Sequence, residues 1–331
     1  MKYQLFIIYS IQLVNSLNLP KAWHNVSLRF KDKARNWFID RAEKSGIPWK
    51  ELSESYQEDT ILGILQKNMK DVTSECIVDY PSYFKRPFHG YEDGNLNWKA
   101  AFEGEAATLN IAAGYWPTAG VEEAQRWMRK NTTQTIRDYY TAYNFENMMV
   151  TSTGSSYLDP RCALDIGCSI GMSTEFLQHE FPSTNIMGLD LSPYFLAVAK
   201  FRASKYNHNI EYVHENAEVM SFDDNLFSLI TCNYLFHEVP IEATKTILKE
   251  IYRIIEDKGV ISIIDLEPNV LREKESSFLT PFRRWMFEIT EPHIYSYYEN
   301  DMKELLSEAG FKNIVKSKND PVNSVWLAQK T

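Results

Sequence analysis

The residues best placed to do chemistry cluster around one short stretch, Cys162-Ala163-Leu164-Asp165-Ile166-Gly167-Cys168-Ser169-Ile170-Gly171. An apolar run ends in an acid and passes into a glycine-bearing turn, and Glu175-Phe176-Leu177 continues in helical register. A strand that turns sharply into a helix presents bare backbone N–H groups and a positive dipole end, which suits a nucleotide-type ligand at the edge of an α/β sheet. The spelling differs from the dinucleotide fingerprint G-x-G-x-x-G: Ser169 holds the middle glycine position and Met172 the last. That turn offers a pyrophosphate less close backbone approach, while Asp165, two residues before Gly167, suits a cationic ligand group. Asp190 closes a second apolar run, Asn185–Asp190, about 20 residues further on, the spacing at which an acid meets ribose hydroxyls. A carboxylate accepts both hydroxyl protons at once.

The elements that must position these groups follow from periodicity. Residues 172–181 read as a helix stopped by Pro182, and Ser192-Pro193 starts another, with serine as N-cap and proline at the first position. Strands are expected at 210–215, 226–235 and 260–265. A helix opened by Pro240 carries Ala243, Ile247, Leu248, Ile251, Ile254 and Ile255 on one face and is expected to close at Lys258-Gly259. A last helix stops at Ala309-Gly310, and 311–317 and 324–329 make a terminal antiparallel pair.

In this order the motifs resemble the class I S-adenosylmethionine-dependent methyltransferases, over roughly residues 158–331, and the quinone and sterol methylating enzymes among them. The resemblance implies a Rossmann-like α/β fold with a seven-stranded, mostly parallel sheet ending in an antiparallel pair. It implies a site for S-adenosyl-L-methionine made by Asp165, Gly167, Cys168, Ser169, Gly171, Asp190, Leu191, Asn216, Ala217 and Asn233. Asn216 stands where the family usually has an acid for the adenine amino group, and its amide oxygen can still accept that bond. The methyl donor and acceptor would meet past the fourth strand, where Asn233, Tyr234, Phe236, His237 and Glu238 fall. An imidazole has a pKa near working pH, so His237 is the expected base, with Glu238 and His293 behind it. The methyl group would go to a small-molecule or lipid-like acceptor.

Ahead of the motifs, helices are expected over 32–44, 49–70, 98–111, 121–130 and 132–145, as a helical extension and cap spanning 21–150 before a methyltransferase domain at 151–331. Glu103 and Glu105 fall on different faces of their helix, so at most one is expected to point inward. The aromatic stretch 80–98 reads as a long ordered loop. His89, Tyr91, Asn95 and Trp98 either wall the substrate pocket or pack beneath that loop.

The chain has 331 residues and a formal charge of −9, which disfavours a nucleic-acid partner. The sequence also lacks an N-P-P-[YF] signature, having Asn233-Tyr234-Leu235-Phe236 in its place. Cys76, Cys162, Cys168 and Cys232 show no C-x-x-C spacing and read as small buried hydrophobes, and no metal-ligand set is expected. The apolar run 5–14 is too short and interrupted to span a membrane. Residues 1–20 read as a signal or organelle-targeting segment or as an ordinary apolar element, so the secretory pathway, an organelle and the cytoplasm stay open. Asn25-Val26-Ser27 and Asn131-Thr132-Thr133 fit the glycosylation sequon. Two other functions compete: a nicotinamide-dependent oxidoreductase, which would share the strand–turn–helix and Asp190, and a non-catalytic S-adenosylmethionine-binding protein.

Overall fold

The computed structural model describes residues 35–74, 77–143, 148–150, 158–268 and 291–331. The expected targeting segment, the first sequon and Cys76 lie outside them. By its contacts the chain divides into Met1–Asp40 and Arg41–Thr331. Of the first unit, the described residues 35–40 are helical; the second holds the sheet.

That sheet has seven strands: β3 (Cys162–Ile166), β4 (Asn185–Asp190), β5 (Ile210–His214), β6 (Phe227–Asn233), β7 (Ile255–Leu266), β8 (Lys312–Lys318) and β9 (Asn323–Gln329). Their spatial order is β5-β4-β3-β6-β7-β9-β8. Strands β3 to β7 run parallel, and β9 inserts antiparallel between β7 and β8. This is the expected seven-stranded sheet with its terminal pair. Two short strands, β1 (Met148–Val150) and β2 (Leu158–Pro160), pair antiparallel beside it.

Alternation along the strands builds a core on each face. Leu164, Ile230 and Ile261 point to one side, against Ile247 and Ile251 of α7 (Ile241–Ile254) and Leu306 of α9 (Met302–Glu308). Their neighbours Ala163, Leu229 and Val260 point to the other, against Ile136 and Tyr140 of α4 (Val121–Tyr143) and Leu177 of α5 (Met172–Glu180). Both faces are covered, which is why these strands carry apolar residues without polar alternation.

The leading helices wrap the same sheet. Helix α2 (Asp59–Thr73) lies against α6 (Pro193–Lys205), with Val72 among Leu196 and Ala199, and the Asn68 amide donating to the Ala197 carbonyl at 3.1 Å. Helix α3 (Trp98–Tyr115) presses on the glycine turn: a Cβ at Gly104 would stand 3.2 Å from Ile170 Cγ2. Helix α1 (Trp49–Ser55) leads into Tyr56, which stacks on Phe102 of α3.

Three local expectations are corrected. Helix α4 is one 23-residue helix, with no break near Asn131. The polar residues there are satisfied without ending it, because the Asn131 amide donates to the Asn319 carbonyl (2.9 Å) and the Thr132 hydroxyl meets Met128 O and Asn319 Oδ1. Helix α7 stops at Ile254, short of Lys258-Gly259, because Ile255 already pairs with Phe227 as strand. Glu103 and Glu105 are both covered: Glu103 accepts from the Tyr91 hydroxyl (2.6 Å), and Glu105 meets Tyr56 (2.7 Å) and Arg202 (2.6 Å). Partners on two sides of α3 receive two faces of it.

Candidate functional site at the carboxyl edge of the sheet

The turn after β3 is built from three left-handed residues, Gly167 (φ 72°), Ser169 (φ 52°) and Gly171 (φ 83°). The backbone N–H groups of Gly167 and Cys168 both donate to the Leu189 carbonyl, at 2.8 and 3.0 Å, tying the turn to the end of β4. Gly171 is the N-cap of α5, and a Cβ there would run into the Tyr212 hydroxyl. The first N–H groups of α5 have no intrahelical acceptor and face the edge as donors.

Asp165 is 0% exposed. Its Oδ2 accepts from the hydroxyls of Ser173 (2.6 Å) and Thr174 (2.8 Å), its Oδ1 from Thr231 Oγ1 (2.8 Å) and Asn233 Nδ2 (2.9 Å). Burial raises its pKa and these four donors oppose the rise. All four acceptor sites are filled. Asp165 therefore fixes α5 and the end of β6 from beneath.

Asp190 is 8% exposed at the end of β4. The Ser169 N–H donates to Oδ2 and the Ser192 N–H to Oδ1, both at 2.8 Å. Each oxygen keeps a further lone pair, the requirement for receiving a diol. Burial pushes its pKa up to about 6, against the pull of those N–H groups. Ser192 caps α6 through Phe195 N (3.4 Å) and donates its hydroxyl to the Asn95 carbonyl (2.6 Å). The Leu191 carbonyl lies 3.2 Å from His214 Nε2, and Asn216 Oδ1 accepts from Glu218 N (3.0 Å), with Ala217 half-buried between. Gly167, Cys168, Ser169, Gly171, Asp190 and Leu191 thus meet around one turn, while Asn216 and Ala217 lie past the neighbouring strand β5. Cys168 and Cys232 are buried free thiols whose pKa burial drives up, as expected of small core residues.

At the mouth of β6, His237 Nδ1 stands 2.6 Å from Asp265 Oδ1 at the end of β7. Asp265 also accepts the N–H groups of Phe236 (3.0 Å), His237 (3.2 Å) and Leu266 (2.8 Å), so it is held rigidly. His237 is 8% exposed. Burial alone would lower its pKa, but the Asp265 carboxylate overrides this and lifts it to about 10. The near-neutral pKa expected of an ordinary imidazole does not hold here. Its Nε2 makes no hydrogen bond among the described residues. Glu238, next along, is raised to about 7 by burial.

The loop over residues 77–97 crosses this edge. The Tyr80 hydroxyl is 3.1 Å from His214 Nε2, Tyr83 donates to Glu218 Oε1 (2.8 Å), and His89 Nε2 is 2.9 Å from Glu291 Oε1 and 3.6 Å from Glu238 Oε1. Of the four residues singled out there, His89 reaches the mouth. Tyr91 and Trp98 pack on α3 and Tyr194, and Asn95 lends its carbonyl to Ser192. His293 lies edge-on to Tyr83, and burial lowers its pKa.

Sequence reading passed over Asp265. The signal was present: Val260-Ile-Ser-Ile-Ile-Asp265 is an apolar strand ending in an acid, as β3 and β4 are. No group of three or more metal-ligating side chains occurs among the described residues, and no helix among them is long and apolar enough to cross a membrane.

Comparison with known proteins gives the same picture. The profile of a methyltransferase domain family matches residues 163–259. A demethylmenaquinone methyltransferase of Bacillus licheniformis is 30% identical over 168 residues, covering 46% of this chain and 71% of the relative. A malonyl-[acyl-carrier protein] O-methyltransferase of Paenibacillus sp. (strain JDR-2) is 26% identical over 154 residues, 46% of this chain and 55% of that protein. The chain spans about half the length of that relative and of the listerial demethylmenaquinone methyltransferases it matches. Among solved structures, human N-acetylserotonin methyltransferase in complex with SAM aligns over 83% of this chain and 68% of its own, at 16% identity and a TM-score of 0.46.

Proposed function

The chain belongs to the class I S-adenosylmethionine-dependent methyltransferases, and from that premise we propose that it methylates a small-molecule or lipid-like acceptor whose proton passes to His237. The residues present fit the cofactor: Asp190 offers paired lone pairs to a ribose diol, the Gly167–Gly171 turn offers close backbone approach, and Asn216 offers an amide oxygen past β5. When bound, the cofactor supplies an already activated methyl group. The work left to the protein is alignment, exclusion of water and handling of the acceptor's proton.

The observation that carries the reading is the His237–Asp265 pair, one strand over from the glycine turn. Asp265 fixes Nδ1–H, leaving Nε2 as the atom that takes a proton. With a pKa of about 10, the imidazole matches an acidic hydroxyl or carbon acid, so transfer between them is close to balanced. An amine or thiolate acceptor would have no need of such a group. The formal charge of −9 weighs against a nucleic-acid acceptor.

The test is incubation with methyl-labelled S-adenosylmethionine and fractionated cell metabolites at pH 7 to 10. Label is expected in a small hydroxyl- or carbon-methylated product, formed faster at the alkaline end. No transfer to any fraction, together with no calorimetric heat from S-adenosylhomocysteine, would remove the reading.

A further inference from the structure

The loop over residues 77–97 carries a strained histidine at its tip. Phe88 and Tyr91 pair backbone to backbone in both directions (3.0 and 2.8 Å), and His89 (φ 50°) and Gly90 (φ 86°) between them are both left-handed. A two-residue hairpin of this kind favours Asn-Gly, and a histidine in the first place is disfavoured. Such strain persists where the surrounding contacts over-determine it. Here His89 Nε2 lies 2.9 Å from Glu291 Oε1, just ahead of α8 (Ile294–Glu299), and 3.6 Å from Glu238 Oε1 at the mouth of β6. The second Glu291 oxygen is buried with no hydrogen-bond partner among the described residues, so that acid leans on His89. The imidazole side chain is 37% exposed and exchanges its proton with solvent directly.

The rest of the loop spans the carboxyl edge of the sheet. Tyr80 and Tyr83 hold to His214 and Glu218 past β5, and Asn95 to Ser192 past β4. Burial raises the pKa of Tyr80 and Tyr83 and lowers that of His214, so these three stay neutral between pH 7 and 9. His89 differs. Burial would lower its pKa, but Glu291 and Glu238 outweigh this and lift it, with His237 opposing. Burial would likewise raise Glu291, but His89 holds it below its ordinary value; Glu238 is raised to about 7 by burial.

We propose that this loop is a proton-controlled latch: charged His89 clamps it onto Glu291 and Glu238 and closes the carboxyl edge, and loss of that proton releases it. The clamp is complete below about pH 6.5 and is lost as pH rises through the raised His89 value. The latch stands without the methyltransferase reading; its gating of the cofactor rests on that reading.

Hydrogen exchange on the full chain at pH 7 and 9, each rate taken relative to the free-chain rate at that pH, reads the loop directly. In the wild type, protection of the Phe88 and Tyr91 amides is expected to fall about 10-fold from pH 7 to 9, with β3 unchanged. His89→Asn suits the left-handed turn but carries no charge, and should be weakly protected at both values. His89→Lys stays charged and should be protected at both. Release of S-adenosylhomocysteine should follow the same order: about 10-fold faster at pH 9 than at pH 7 in the wild type, fast at both in His89→Asn, slow at both in His89→Lys. Asp190, with its pKa of about 6, is largely ionised across this window. A flat wild-type exchange profile, or His89→Asn matching the wild type at pH 7, overturns the latch. Exchange that titrates while release does not overturns the gating alone. If the wild type binds no S-adenosylhomocysteine, the methyltransferase reading falls and the exchange result decides the latch.

Discussion

His237 is expected to behave unlike a surface histidine in any pH-dependent measurement. Its folded pKa of about 10 lies above the ordinary imidazole value. The pair with Asp265 therefore stabilises the fold fully below about pH 6.5, and that contribution disappears as pH rises through 10. Turnover that needs neutral Nε2 should climb over the same alkaline window. His237→Gln should lower kcat by roughly 100-fold or more and flatten the climb; a pH–rate profile of both proteins checks it. Asp190 has the opposite requirement. A diol clasp needs the ionised carboxylate, and with a pKa of about 6 S-adenosylhomocysteine affinity should fall about tenfold per unit below that value. Asp190→Asn should bind weakly at every pH, which titration calorimetry at pH 5 and 8 measures. Asp190 and His237 were legible because each stands where an apolar run ends beside a turn. Asp165 was legible as a position, but a sequence does not display the hydroxyls of Ser173, Thr174 and Thr231 that close around it. Asp265 lies near the end of β7, 28 positions beyond His237, so its approach to that ring exists only because β6 and β7 pair in the sheet.

The glycine turn makes the corresponding case for elements. Gly171 is left-handed and its Cβ position is taken by the Tyr212 hydroxyl, which is itself buried without a partner among the described residues. Gly171→Ala should cost about 1–3 kcal/mol in urea unfolding from strain and overlap together. Tyr212→Phe should cost little alone and should recover part of that loss in the double variant, since it removes the colliding atom. A loss that Tyr212→Phe leaves untouched would assign the whole cost to the backbone. Strand and helix identities were read correctly through most of 160–331 because period and caps agree there: Ser192-Pro193 caps α6 as spelled, and Gly310 (φ 108°) ends α9. The ends that moved, at Asn131 and Lys258, are set by distant partners, Asn319 in one case and Phe227 in the other.

Across the whole molecule, Arg202 on α6 joins parts that lie far apart in sequence. It is bonded to Glu175 of α5 and Glu105 of α3, and its Nη1 stands 3.5 Å from the Tyr56 hydroxyl. These partners hold its pKa above the ordinary value against burial. Arg202→Met would strand two covered carboxylates, so a loss of about 3–5 kcal/mol is expected, read from the denaturation midpoint. The sequence offered no hint of this arrangement, since Glu105 and Arg202 are 97 positions apart and each looks like an ordinary surface helix residue. The matched domain, 163–259, contains Glu175 and Arg202 but not Glu105 or Tyr56. Recombination that grafted only that block into another scaffold would carry the guanidinium away from half its counter-charge. The cooperative unit is therefore larger than the conspicuous motifs, and a working chimera should place its crossover ahead of Trp49.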